Sequence, residues 1–170
     1  MRSHFMFAVL ATALLAVSPG WAKDAGPKFK TVEPKHFDRA EGVELSPDFN
    51  DYLYAELRTQ LQKTKIFGQV IGEGEVVEEA DAPASVVVSG TLTEYKKGSL
   101  AKDVLIGFTA GWRSLKMQVN LTRRSDQKSL GTVEVHVRAS PRWNEKFLAQ
   151  EAAKELAKQI KNSLEHESNS

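Results

Sequence analysis

The chain has 170 residues, 41% of them hydrophobic, with no cysteine and a formal net charge of +1. So even a balance excludes broad electrostatic capture of nucleic acid, which needs many Lys and Arg against phosphates. Without cysteine there are no disulfide staples, thiolate metal sites or lipidated cysteine, so packing must hold the fold.

Arg2 precedes an apolar run from Phe5 to Val17, and Pro19-Gly20-Trp21-Ala22 then leads into a charged chain. The pattern is that of a secretory signal peptide over residues 1–22, its apolar run too short to cross a bilayer core about 30 Å thick. Small residues at Gly20 and Ala22 place the cleavage after Ala22. Removing this leader takes away Arg2 and no acidic residue, which leaves 22 basic residues against 22 acidic ones. No second long apolar stretch follows, so the expected product is a periplasmic or secreted protein that is not lipidated.

Residues 23–28 read as a flexible lead-in, and one domain is expected over 29–164. From Phe29 to Phe37 apolar residues mix with charges and Pro34, which predicts an irregular or edge strand because proline cannot donate to a ladder. Ser46-Pro47-Asp48 predicts a helix start, with Ser46 as cap and Pro47 in the first turn. Phe49, Leu53, Leu57 and Leu61 then recur at helical spacing to about Thr64 and form a core stripe.

Ile66–Ile71 reads as a short strand, broken by Gly72-Glu73-Gly74-Glu75 and followed by an acidic link to Asp81. Val86-Val87-Val88 opens a strand that Leu92 and Tyr95 extend, with Gly90 at a bulge or close contact. Leu115, Met117, Val119 and Leu121 alternate with polar residues, as do Val133, Val135 and Val137. The two runs form a hairpin across the polar turn Arg123–Ser129, with one dry face each. Past Pro141, Asn144 caps a closing helix whose inward face is Leu148, Ala149, Ala152, Leu156, Ile160 and Leu164, and residues 165–170 form a frayed tail. The order β-α-β-β-β-β-α predicts an α+β domain: a mainly antiparallel sheet of about five strands with two helices on one face.

Between Gly98 and Arg113 the chain is too apolar for an ordinary connection. One reading packs it on the core with Gly107 and Gly111 as points of freedom. The other exposes Leu100, Ile106, Phe108 and Trp112 as a contact surface for a partner protein or a membrane interface. Gly98, Ala101-Lys102, Leu105-Ile106-Gly107-Phe108 and Ala110-Gly111, followed by an alternating strand and a polar turn, resemble the signature of a bacterial family of small exported proteins, many of them lipoproteins, known as domain of unknown function 4410. The resemblance spans Phe29 to Leu164 and implies no reaction. The chain departs from the family pattern at Asp103, where a basic residue is common, and in lacking the lipidated cysteine. More distantly the layout is similar to envelope accessory domains of the curli-secretion and Tol-associated type, which bind other proteins; this is a likeness of fold.

Signals for chemistry are sparse. His36, His136 and His166 lack zinc-site spacing, so no metal and no cofactor is expected. His36 beside Asp38 is the one catalytic pairing the sequence offers, and it supports only a weak hydrolase as a third reading. Glu73, Glu75, Glu78, Glu79 and Asp81 match no calcium loop. Neither Gly72-Glu73-Gly74 nor the Gly107/Gly111 pair completes a nucleotide fingerprint, and Arg123, Arg124 and Lys128 read as a solubilising turn.

The expected function is that of a non-enzymatic envelope interaction or accessory module, its partner an envelope protein, with peripheral membrane contact and no nucleic acid. Its binding residues are Gly98, Leu100, Lys102, Ile106, Gly107, Phe108, Gly111, Trp112 and Trp143. The alternative is a small-molecule carrier with an apolar pocket lined by Leu92, Met117 and Leu156.

Overall fold

Residues 28–101 and 111–167 are described in the computed structural model, and among them six strands form one sheet with two long helices against it. The strands are β1 (Phe29–Pro34), β2 (Asp38–Arg39), β3 (Phe67–Val70), β4 (Ser85–Lys96), β5 (Arg113–Arg123) and β6 (Ser129–Ala139). Helix α1 spans Phe49–Thr64 and α2 spans Glu145–Glu167. Across the sheet the order is β3-β1-β4-β5-β6, and β2 continues the track of β1 along β4.

The fold is α+β, and the two long pairs, β4 with β5 and β5 with β6, are antiparallel. The other half of the sheet departs from the expectation, because β1 runs parallel to both β3 and β4. Parallel neighbours need a crossover. The chain makes the first one, from β1 to β3, with α1. It makes the second, from β3 to β4, by carrying residues 71–84 past β1, where the Gly74 amide donates to Glu33 Oε1 at 2.8 Å.

Strand β1 is therefore interior, not an edge. Pro34 is tolerated because its nitrogen faces the β3 side two residues beyond the last β3 pair, Val32 with Val70, while the Lys35 amide donates to Val88 on the other side at 2.9 Å. Ser46 does not cap α1. Asp48 occupies that position without a side-chain cap bond, and the Ser46 amide instead donates to Glu145 Oε2 at 3.0 Å, tying the start of one helix to the start of the other.

One continuous core lies between sheet and helices. Phe49, Leu53, Leu57 and Leu61 of α1 meet Leu148, Ala152, Leu156, Ile160 and Leu164 of α2 over the inward residues of β4, β5 and β6. Each such large side chain contributes about 1.5–3 kcal/mol of burial. Asn144 caps α2 as its spacing predicts, its Oδ1 accepting from the Phe147 amide at 3.0 Å. Gly90 marks a close approach: a Cβ there would stand 2.5 Å from the Gln118 carbonyl, whereas the register shift in this pairing falls between Leu92 and Glu94.

On the opposite face the 71–84 crossover buries Thr31, Glu33 and Val87. Glu33 forms an ion pair with Arg124, and Arg124 also donates to the Glu75 carbonyl at 2.9 Å. The acidic crossover is thus held to the sheet by polar contacts where the core side uses hydrocarbon.

Candidate contact site

Strands β4 and β6 end, β5 begins, and both helices start at the same end of the molecule. Gly98 sits at their junction. A Cβ on it would lie 2.6 Å from the Gly111 carbonyl, 2.8 Å from Arg113 Cγ and 2.9 Å from Pro141 Cβ, so only glycine fits without a shift of its neighbours. The Ser99 amide donates to the Gly111 carbonyl at 2.8 Å and closes the base of the connecting segment.

Around this junction the apolar surface is open. Leu100 is 51% exposed, Trp112 37% and Trp143 47%. Trp143 lies against Phe147 with ring centroids 3.9 Å apart, and the Arg138 guanidinium sits 5.8 Å from the centre of the Trp112 ring. Tyr52, 40% exposed, carries Lys146 over its ring at 5.4 Å. Of the five large apolar side chains exposed among the described residues, only Val76 lies away from this end.

A polar brace stands behind the patch. Glu145 takes the Ser46 amide on one carboxylate oxygen and the Tyr95 hydroxyl, at 3.4 Å, on the other. Burial works against ionisation of Glu145, yet the bonds from Ser46, the Arg113 charge and the Tyr95 bond together hold its carboxyl below the ordinary value. Tyr95 is pushed up, by burial first and by the Glu145 charge second.

Of the residues expected to bind, Gly98, Leu100, Gly111, Trp112 and Trp143 fall in the described part, with Gly98 and Gly111 packed at the junction and the other three exposed. Lys102, Ile106, Gly107 and Phe108 lie outside the described residues, as do residues 1–22. Sequence reasoning missed Tyr52, Phe147 and the Tyr95–Glu145–Ser46 brace. The four-residue spacing of Trp143, just before the Asn144 cap, and Phe147, in the first turn of α2, was the available signal.

The weaker alternatives fare differently. His36 Nδ1 lies 2.7 Å from Glu73 Oε2, its Nε2 lies 3.5 Å from Asp51 Oδ1, and its ring stacks on Tyr54 at 4.1 Å. Its carboxylate neighbours are thus Glu73 and Asp51 rather than Asp38, and among the described residues no serine bonds to the ring. Bonds from the His36 side chain and amide hold the Glu73 carboxyl below its ordinary value, and the Glu73 amide donates to the Tyr54 hydroxyl at 2.9 Å. This geometry clamps the crossover to α1. Leu92, Met117 and Leu156, named for a carrier pocket, are fully buried within the shared core. Among the described residues no group of three or more His, Asp or Glu could hold a metal, and no helix is long and apolar enough to cross a membrane.

This mixed sheet with both helices on one face is the architecture of several small bacterial proteins. PelC from Paraburkholderia phytofirmans, solved as a dodecamer, shares 12% identity at a TM-score of 0.58 over 80% of this chain and 92% of that one. Protein XCC0632 from Xanthomonas campestris shares 9% identity at 0.56 over 87% and 93%. The hypothetical protein CT253 from Chlamydia trachomatis shares 13% at 0.53 over 79% and 98%. At these identities the likeness is one of fold. The chain itself belongs to the family described as domain of unknown function DUF4410, whose family model matches residues 35–140. No curated protein matches it.

Proposed function

We propose that this protein is exported to the cell envelope and acts there as a non-enzymatic contact domain, using the apolar end around Leu100, Trp112 and Trp143 to hold another envelope protein. One observation carries the reading: four of the five exposed large apolar side chains of the described residues gather at a single end, around a glycine junction that fixes the backbone. Clustered apolar exposure of this kind marks interaction surfaces, whereas single exposed residues need no explanation. Aromatic side chains with a polar rim are also the composition of interface centres. The charged leader with its apolar run supports the address.

The test is the double variant Trp112→Ser, Trp143→Ser in the producing cell. The reading expects a folded, exported protein with an unchanged circular dichroism spectrum that no longer co-fractionates with envelope complexes. Loss of the fold would return these side chains to the core, and unchanged co-fractionation would remove the surface from consideration.

A further inference from the structure

Strand β6 forms one border of the sheet, and its outer edge faces a groove. The Arg124 amide donates to the Ser85 carbonyl and the Lys35 amide to the Val88 carbonyl, which fixes the alternation: odd residues of β4 bond toward β5, even ones toward β1. Carried through the unbroken registers of Leu92 with Met117 and Met117 with Val135, this turns the odd residues of β6 toward β5. Thr132, Glu134 and His136 therefore direct their backbone N–H and C=O groups away from the sheet, and all three are exposed.

Two contiguous grooves, of about 690 and 440 Å³, run along this edge between β6 and α2. His136 lines the larger and Thr132 and Glu134 the smaller, with Glu155 and Lys158 common to both. The larger groove carries Lys63, Lys154, Lys158 and Lys161 against Glu151 and Glu155. Lys158 reaches Glu155 and Lys161 reaches Glu165 only at 3.8 Å, so the lysines remain available to a further anion. An unpaired strand edge offers main-chain bonds to an extended chain, and flanking charge selects which chain adds.

We infer that the edge of β6 at Thr132, Glu134 and His136, unpaired among the described residues, accepts an extended acidic peptide segment of a partner protein by strand addition, its carboxylates lying over the lysines of α2 and the end of α1. This surface is distinct from the apolar end and stands or falls separately.

The probe is a fluorescent, end-blocked octapeptide of alternating Glu and Val, with a Lys-Val octapeptide as control, titrated by anisotropy against the full mature chain. Binding of the Glu-Val peptide is expected, and raised salt should weaken it. Two variants should each weaken it at least tenfold: Lys154→Glu with Lys158→Glu, which reverses the charge, and His136→Pro, which deletes an edge donor while leaving the ladder to β5 intact. Should His136→Pro fail to fold, a Glu-Val peptide N-methylated at alternate residues makes the same deletion in the probe. Equal binding of the Lys-Val or N-methylated peptide, or no Glu-Val binding at millimolar concentration, overturns the inference. So does a dimer in sedimentation that His136→Pro dissolves, since the edge would then belong to a second copy of the chain.

Discussion

Strands β4, β5 and β6 pair antiparallel and bury one face, leaving Gln118, Asn120, Glu134 and His136 in water on the other. Strands β3, β1 and β4 pair parallel and are covered on both faces, by α1 on one and by the 71–84 crossover on the other. Both halves share the hydrocarbon core beneath the helices, and the parallel half adds on its other face contacts between residues far apart in sequence, such as Glu33 with Arg124, and at its end His36 with Glu73. The first arrangement depends on the core alone. The second is pinned in addition at a few polar points on the crossover side, and substitutions should expose that contrast.

The largest effect is expected at Leu156, fully buried in the core shared by both helices. Leu156→Ala should cost about 2–5 kcal/mol in urea unfolding. A cost below about 1 kcal/mol would mean that the site collapses around the loss and that the core is looser than its burial implies. Next comes Arg124→Met, which leaves the Glu33 carboxylate in a buried position without its partner. Breaking a buried pair costs about 3–5 kcal/mol, and the partial exposure of Arg124 brings the expectation to about 2 kcal/mol. The double change Glu33→Leu, Arg124→Met should recover most of it, and failure to recover would show that the crossover depends on the bonds these two side chains make to the Gly74 amide and the Glu75 carbonyl.

Asn144→Ala removes the cap of α2 and should cost about 1 kcal/mol, read as a lowered midpoint with an unchanged slope. The smallest effect is one of pH. Glu73 in the parallel half and Glu145 at the apolar end both titrate below the ordinary value of 4.5 when folded. Their contribution is fully present above that value and is lost as pH falls through the lower folded values. Glu145→Gln should therefore destabilise at neutral pH, and the gap from the parent chain should close on acidification. A gap that widens in acid would reverse the assigned direction.

The same contrast explains what could be read in advance. The stripe of α1, the alternation of β5 and β6 and the Asn144 cap are local patterns, and local patterns report local structure. The parallel pairing of β1 was hidden because it is non-local, and Pro34 pointed toward an edge since its position beyond the reach of β3 has no local signature. Ser46 was misread as a cap because its actual partner, Glu145, stands 99 residues away. At the apolar end, Gly98 and Trp112 stood out at the two ends of an unusually apolar connection, with Trp143 beside it in a polar run. The gathering of Tyr52 from α1 and Phe147 from α2 around them needed the tertiary fold.

Photo-crosslinking in living cells, with a benzophenone amino acid at position 143 compared with one at position 118 on the bare polar face, tests the contact reading most directly. A discrete adduct with an envelope protein from position 143, absent from 118 and abolished by Trp112→Ser, is the predicted result. Adducts of equal yield from both positions, or none from position 143 in an exported and folded chain, would contradict it.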